Sequence, residues 1–241
     1  MKILVLAGSG EFTPKMIPVD TFLLSQIKGK NKTVAILPTA AGAEKNPHRW
    51  IADGVGHFTK LEVRAFGVPV LSRDDAFKDE FLKQVKNASM IYFSGGDPGY
   101  LYSTLSDTPL WKLVLSQYKN GTILAGSSAG TMVMGNYVLS NAQRLSSGEK
   151  PSWDKSFGLV KFSILPHYDY VVREMSEVFQ GALKSGSEKE LQLLGIDEDT
   201  AMVIFNDKKV EIMGEGSVHI LENLKSRDFH AGDSFNLSDF E

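Results

Sequence analysis

Residues 123–135 read ILAGSSAGTMVMG, an apolar run that enters a serine set between two glycines and leaves as a second apolar run. A plain turn needs one glycine and no hydroxyl. The G-x-S-x-G pattern of Gly126-Ser127-Ser128-Ala129-Gly130 fits a nucleophile elbow, in which the middle serine sits on a strained strand-to-helix turn and flanking Cβ atoms would clash. The competing reading is a glycine-rich turn with Ser127 or Ser128 as a helix N-cap.

Working outward, short apolar runs recur at Ile3 to Leu6, Val34 to Leu37, Val63 to Phe66, Met90 to Phe93, Ile123 to Ala125 and Phe162 to Leu165. They lack strict alternation, as strands buried on both faces do. Between them lie amphipathic stretches such as WKLVLSQYKNG, where Trp111, Val114, Leu115 and Tyr118 form a stripe and Asn120-Gly121 supplies the stop. This alternation predicts an α/β fold with a mainly parallel sheet. After residue 200, AMVIFNDKKVEIMGEGSVHIL reads as three strands in an antiparallel meander appended to the same sheet. No linker, repeat or low-complexity tract interrupts the chain, so residues 1–241 are read as one domain.

The 241 residues are 42% hydrophobic and 23% charged, with a formal net charge of −3 and no cysteine. That balance provides no basic footprint for nucleic acid or an anionic membrane. The missing thiols exclude disulfides, thiolate metal sites and a cysteine nucleophile. The apolar run in MKILVLAGSGEFTP is too short for a signal peptide or a membrane span and reads as a first buried strand, giving a cytoplasmic expectation. Gly8-x-Gly10-x-x-Thr13 imitates a dinucleotide fingerprint but lacks its third glycine, and no metal or Walker pattern occurs, so neither cofactor nor metal is expected.

In open parallel sheets, ligands bind beyond the carboxyl ends of the strands. The segments following the strands are Gly8-Ser9-Gly10-Glu11, Thr39-Ala40-Ala41-Gly42, Ser94-Gly95-Gly96-Asp97, Ser127-Ser128-Ala129-Gly130 and Pro166-His167-Tyr168, which places them on one rim. A serine hydroxyl needs a base. Among the five histidines, His219 reads as a solvent-facing strand residue, His230 lies in a polar stretch, and His48 and His57 flank a surface helix. His167 instead ends a strand and opens a helix with the stripe Val171, Met175, Val178, Phe179 and Ala182, on the same rim as Ser128. GIDEDT (195–200) offers Asp197, Glu198 or Asp199 to orient that base, and residue pattern does not choose among them. Ala129 N–H, at the start of the helix, and Gly95-Gly96 are the candidate oxyanion donors. Asp97-Pro98 reads as a helix N-cap and first turn.

Taken together, ILPTAAG, IYFSGGDPGYL, ILAGSSAGTMVMG, LPHY and LLGIDEDTAMVI resemble the serine-peptidase family of aspartyl dipeptidase (peptidase E) and cyanophycinase, over essentially the whole chain. The resemblance implies a three-layer, flavodoxin-like sheet of the class I glutamine-amidotransferase-like type. It also implies Ser128 as nucleophile, His167 as base and Glu198 as acid, with the N–H groups of Gly96 and Ala129 as the oxyanion hole. Pro98 stands where cyanophycinases carry a substrate-contacting glutamine, and Asp97 where the dipeptidases carry asparagine. Asp97 and Arg173 are the candidate substrate-binding residues, Arg173 for a substrate carboxylate, with a surface arginine as the alternative. The leading expectation is a serine peptidase, monomer or homodimer, that cleaves dipeptides or small peptides, Asp-X and β-aspartyl ones among them. The competitors are an esterase using Ser128, Glu198 and His219 or His230, and a catalytically silent binding protein.

Overall fold

The computed structural model describes residues 1–29, 31–222 and 225–240, without the side chains of Ser176, Phe179, Glu222 and Lys225, so Phe179 of the expected stripe lies outside the described side chains. Among the described residues, fourteen strands and eight α-helices are formed. The first part of the chain runs β1 (Ile3–Ala7), α1 (Ile17–Gln26), β2 (Thr33–Leu37), α2 (His48–Lys60), β3 (Arg64–Gly67), α3 (Asp79–Lys86), β4 (Met90–Phe93), α4 (Pro98–Leu105), α5 (Pro109–Lys119), β5 (Ile123–Ser127) and α6 (Ala129–Met132). It continues with β6 (Tyr137–Leu139), β7 (Trp153–Lys155), β8 (Ser163–Leu165), α7 (Tyr168–Glu174), α8 (Ser176–Glu188), β9 (Leu193–Ile196), β10 (Thr200–Phe205), β11 (Lys209–Gly214), β12 (Ser217–Glu222), β13 (Lys225–His230) and β14 (Ser234–Asn236).

The central sheet has the order β14-β11-β10-β1-β5-β4-β2-β3, and β1, β5, β4, β2 and β3 are parallel. Alternation within each strand explains the unbroken apolar runs. In β1, Leu4 and Leu6 pack on one face, while Ile3, Val5 and Ala7 pack on the other. Val19, Leu23 and Leu24 of α1 and Phe58 of α2 cover the second face. The first face is covered by Phe81 and Val85 of α3, Leu101 of α4, and Trp111 and Val114 of α5. Sheet and two coverings make the three layers of a flavodoxin-like α/β fold. The expected stop after α5 is present: Asn120 caps it and Gly121 follows with φ +102°.

The carboxyl ends of the parallel strands are in register, because Ala7 pairs with Ser127, Gly126 with Phe93, and Phe93 with Leu37. The loops after β1, β2, β4 and β5 therefore open on one edge, as the spacing predicts.

The meander departs from expectation. Strands β10 and β11 extend the central sheet antiparallel to β1, but β12 leaves it and joins a smaller sheet, β13-β12-β9-β8. Strand β8, expected in the central sheet, belongs to this second sheet and runs parallel to β9. The cause is burial: Ile164, Leu194, Ile196, Val218 and Ile220 form one continuous core with Leu4, Leu6 and Ile204 of the central sheet. An apolar run is satisfied equally by pairing within a sheet or by packing upon it. The helix expected after His167 is likewise two helices, broken at Met175 with φ −128° and ψ 39°.

Candidate active site

Ser128 follows β5 with φ 51° and ψ −115°, a region that non-glycine residues occupy only under strain. The turn is held by backbone: Ser128 N–H donates to Ala7 O at 3.2 Å, while Thr131 Oγ1 donates to Ala7 O at 2.8 Å and to Gly126 O at 2.6 Å. The glycines are explained by what surrounds them. A Cβ on Gly126 would lie 2.5 Å from the carbonyl carbon of Gly130, and one on Gly130 would strike the carbonyl oxygen of Phe93. The helix turns back over the strand with no room for a side chain between them. The serine stands at the N-cap position of α6, but its side chain makes no cap hydrogen bond and is presented as in an elbow.

His167 leaves β8 in the left-handed conformation, φ 51° and ψ 36°. Its Nε2 lies 3.0 Å from Ser128 Oγ and its Nδ1 lies 2.7 Å from Glu198 Oε1. A carboxylate only accepts, so Nδ1 carries the proton and donates it to Glu198, leaving Nε2 to accept from the serine hydroxyl. Glu198 stands in the loop between β9 and β10. Its N–H donates to Asp169 Oδ1 at 2.9 Å, so the segment 167–169 holds both the imidazole and the loop that meets it.

The three carboxylates of GIDEDT, equivalent by residue pattern, have separate partners. Glu198 takes His167. Asp197 accepts from Ser217 N–H at 2.9 Å and pairs with His219 Nε2 at 3.0 Å. Asp199, with φ 54°, accepts from Lys15 Nζ at 2.7 Å. This loop also accounts for the first glycine cluster, since a Cβ on Gly8 would collide with the carbonyl of Asp197 and one on Gly10 with the Asp199 carboxylate. The imitation of a dinucleotide fingerprint is a seat for the acidic loop.

Gly96 has φ +142°, and a side chain there would run into the backbone of Ala40. Among the described residues, the N–H groups of Gly96 and Ala129 donate to no protein acceptor. Gly95 is different: its N–H donates to Glu11 Oε1 at 2.9 Å, and Glu11 Oε2 accepts from Ser127 Oγ at 2.6 Å. Glu11 thereby bridges the two residues that precede Gly96 and Ser128. Sequence reasoning placed Glu11 on the rim and assigned it nothing. Its position after β1, whose end is in register with β5, was the available signal.

The remaining candidates are placed as follows. Asp97 caps α4 by accepting from Tyr100 N–H at 2.8 Å. Arg173 is exposed on α7 and pairs with Glu174 at 2.7 Å, away from the cavity described below. His57, expected on a surface, is 5% exposed and pairs with buried Asp20 at 2.8 Å. His219 does not face solvent but lies between Asp197 and Asp228, 2.9 Å from the latter, with its ring stacked on Tyr168 at 4.4 Å. Burial opposes its charged form, but hydrogen bonds with Asp197 and Asp228 prevail and hold its pKa above the usual histidine value. His230, in its polar stretch, ends β13 and pairs with Ser217 Oγ at 2.8 Å. Neither histidine of the esterase alternative meets Ser128.

A cavity of about 300 Å³ opens beside Ser128 and His167, walled by Met132, Leu139, Leu145, Leu165, Val171, Met175, Val178 and Ala182, with Gly96 and Pro98 at its edge. Val171, Met175, Val178 and Ala182 of the apolar stripe read after His167 form one wall of it.

The model of peptidase family S51 matches residues 3–213. A cyanophycinase from Geminocystis herdmanii (strain PCC 6308) is 28% identical over 201 residues, 80% of this chain and 71% of that protein. The chain spans about half, 51%, of the length of two other cyanophycinases. Among solved structures, a peptidase from an acI-B1 actinobacterium superposes with a TM-score of 0.84 at 33% identity, covering 98% of this chain and 97% of that one. A putative peptidase E from Listeria monocytogenes EGD-e, at 23% identity and a TM-score of 0.68 over 89% of this chain and 98% of that one, shares the fold.

Proposed function

Because the chain belongs to peptidase family S51 and is by that membership a serine-type peptidase, we propose that it hydrolyses dipeptides or other small peptides through Ser128, His167 and Glu198. The observation that carries this reading is the 3.0 Å approach of His167 Nε2 to the hydroxyl of a serine held on a strained elbow. Ser128 Oγ attacks the scissile carbonyl while His167 takes its proton. Glu198 keeps the imidazole in the tautomer that can accept and stabilises the imidazolium that forms. The N–H groups of Gly96 and Ala129 receive the developing oxyanion, aided by the amino end of α6. His167 then passes its proton to the leaving amine, and water releases the acyl group from Ser128 along the reverse path.

The relatives' names favour a peptide as the substrate. An Asp-X or β-aspartyl preference has less support, because Asp97 is occupied as a helix cap and Arg173 is paired on the surface. Among the described residues, no helix is long and apolar enough to cross a membrane, which accords with the cytoplasmic setting we propose. The test is amine release from a dipeptide panel by wild type, Ser128→Ala and His167→Ala. Loss of kcat on the order of 10⁶ in the serine variant is the expected outcome, and undiminished turnover there would end the proposal. Activity that survives His167→Ala but not His219→Ala would transfer the assignment to the esterase reading.

A further inference from the structure

We infer that the cavity beside Ser128 is the side-chain subsite of the substrate, and that it takes an uncharged apolar side chain rather than a carboxylate. This deepens the peptidase reading above and rests on it. Three observations converge. The cavity adjoins both the nucleophile and His167, so a residue next to the scissile bond must place its side chain at or near this opening. Apart from Ser128 and His167, Gln143 brings the only polar side chain among the described lining residues, and none of these is a lysine or arginine. Arg173, the candidate cation, is not among the lining residues and pairs with Glu174 on the surface.

The desolvation balance follows from that lining. A carboxylate moved into such a wall loses its hydration and gains no paired cation, which is strongly unfavourable. An aliphatic or aromatic side chain instead exchanges water for methyl and methylene contacts. The volume of about 300 Å³ has room for one large amino-acid side chain. Val171 of α7 and Val178 of α8, on either side of the break at Met175, line the opening while also packing against the core.

The experiment measures kcat/KM for Leu-Ala, Ala-Leu, Asp-Ala and Ala-Ala with wild type, Val178→Arg and Ala142→Trp. Val178 and Ala142 are half-buried wall residues, so both variants are tolerable to the fold. The expected result is that one leucyl peptide exceeds Ala-Ala on the order of 100-fold and exceeds Asp-Ala by at least as much. Val178→Arg should shrink or reverse the preference over Asp-Ala, and Ala142→Trp should abolish the preference over Ala-Ala. Asp-Ala as the best wild-type substrate would overturn the assignment, as would leucyl preference unchanged in both variants. If no peptide is hydrolysed, labelling of Ser128 by alkyl fluorophosphonates separates the two ideas. Faster labelling with a long chain than with a short one, lost in Ala142→Trp, supports the apolar subsite while removing the peptidase reading. Equal labelling by both overturns the subsite.

Discussion

Replacing Glu11 with alanine removes the one group that accepts from both Gly95 N–H, at 2.9 Å, and the Ser127 hydroxyl, at 2.6 Å. Hydrogen bonds to a charged acceptor contribute about 1.5–3 kcal/mol each, so the pair is worth about 3–6 kcal/mol before relaxation. Water can replace the carboxylate in part, since Glu11 is only half-buried, and we expect a net loss of about 2–3 kcal/mol. With a urea slope of about 1–3 kcal/mol/M, the unfolding midpoint then falls by about 1 M or more. The effect on catalysis is separate. A Cβ on Gly95 would lie 3.4 Å from Ser128 Cβ, so this glycine adjoins the nucleophile, and the Gly96 N–H proposed as an oxyanion donor follows it in the chain. Deleting an oxyanion donor lowers kcat about 10²–10³-fold. A donor that is loosened and still present should lose about 10- to 100-fold, with KM nearly constant. Glu11→Gln can keep both contacts, its amide oxygen accepting from Gly95 and its amide NH₂ donating to Ser127 Oγ, and should recover most of kcat. Full kcat in Glu11→Ala would refute the reasoning. Equal losses in the two variants would show that charge, not geometry, is what Glu11 supplies.

Three further outcomes are expected. Ser128→Gly relieves the strain at φ 51° and should be more stable than Ser128→Ala by about 1–3 kcal/mol in a denaturant titration; a less stable glycine variant would contradict the strain. Glu198→Gln, read by kcat with small peptides, should fall about 10²–10⁴-fold because an amide can favour the wrong imidazole tautomer, whereas a mild effect would leave Glu198 with no orienting role. His219, whose pKa is raised, gives stability that is complete below its ordinary value of 6.5 and is lost as pH rises through the higher folded value. Melting temperature should therefore decline on the alkaline side of 6.5 in wild type, and His219→Gln should flatten that decline.

The strands of the parallel sheet were legible because burial on both faces leaves an unbroken apolar run, and strand-end loops rich in glycine mark the open edge. The segment Met90–Phe93 is recovered as read, and Ile123–Ser127 exceeds its expected end because Gly126 and Ser127 carry no apolar signal of their own. The second sheet was not legible. Ile164 and Val218 look the same whether they pair within the central sheet or lie upon it, and only long-range packing decides. The proximity of Ser128 and His167 could be inferred from rim position, but the choice of Glu198 over its two acidic neighbours could not. That choice depends on loop direction, which Asp169 sets through a hydrogen bond across 29 positions. His57 and His219 were misjudged for a related reason: their carboxylate partners lie 37, 22 and 9 residues away, and a histidine's burial follows its partner, not its neighbours.

Ser128 is carried by the large sheet, His167 by the small one, and Glu198 by the loop that passes from one to the other. The hydrogen-bonded trio is therefore a rivet across a seam. A slide of one sheet over the other by a fraction of a bond length would part His167 from Ser128 while every strand ladder stayed intact. Hydrolysis is then the finest gauge of how the two sheets sit together, and it should fail in mild denaturant before any spectroscopic sign of unfolding.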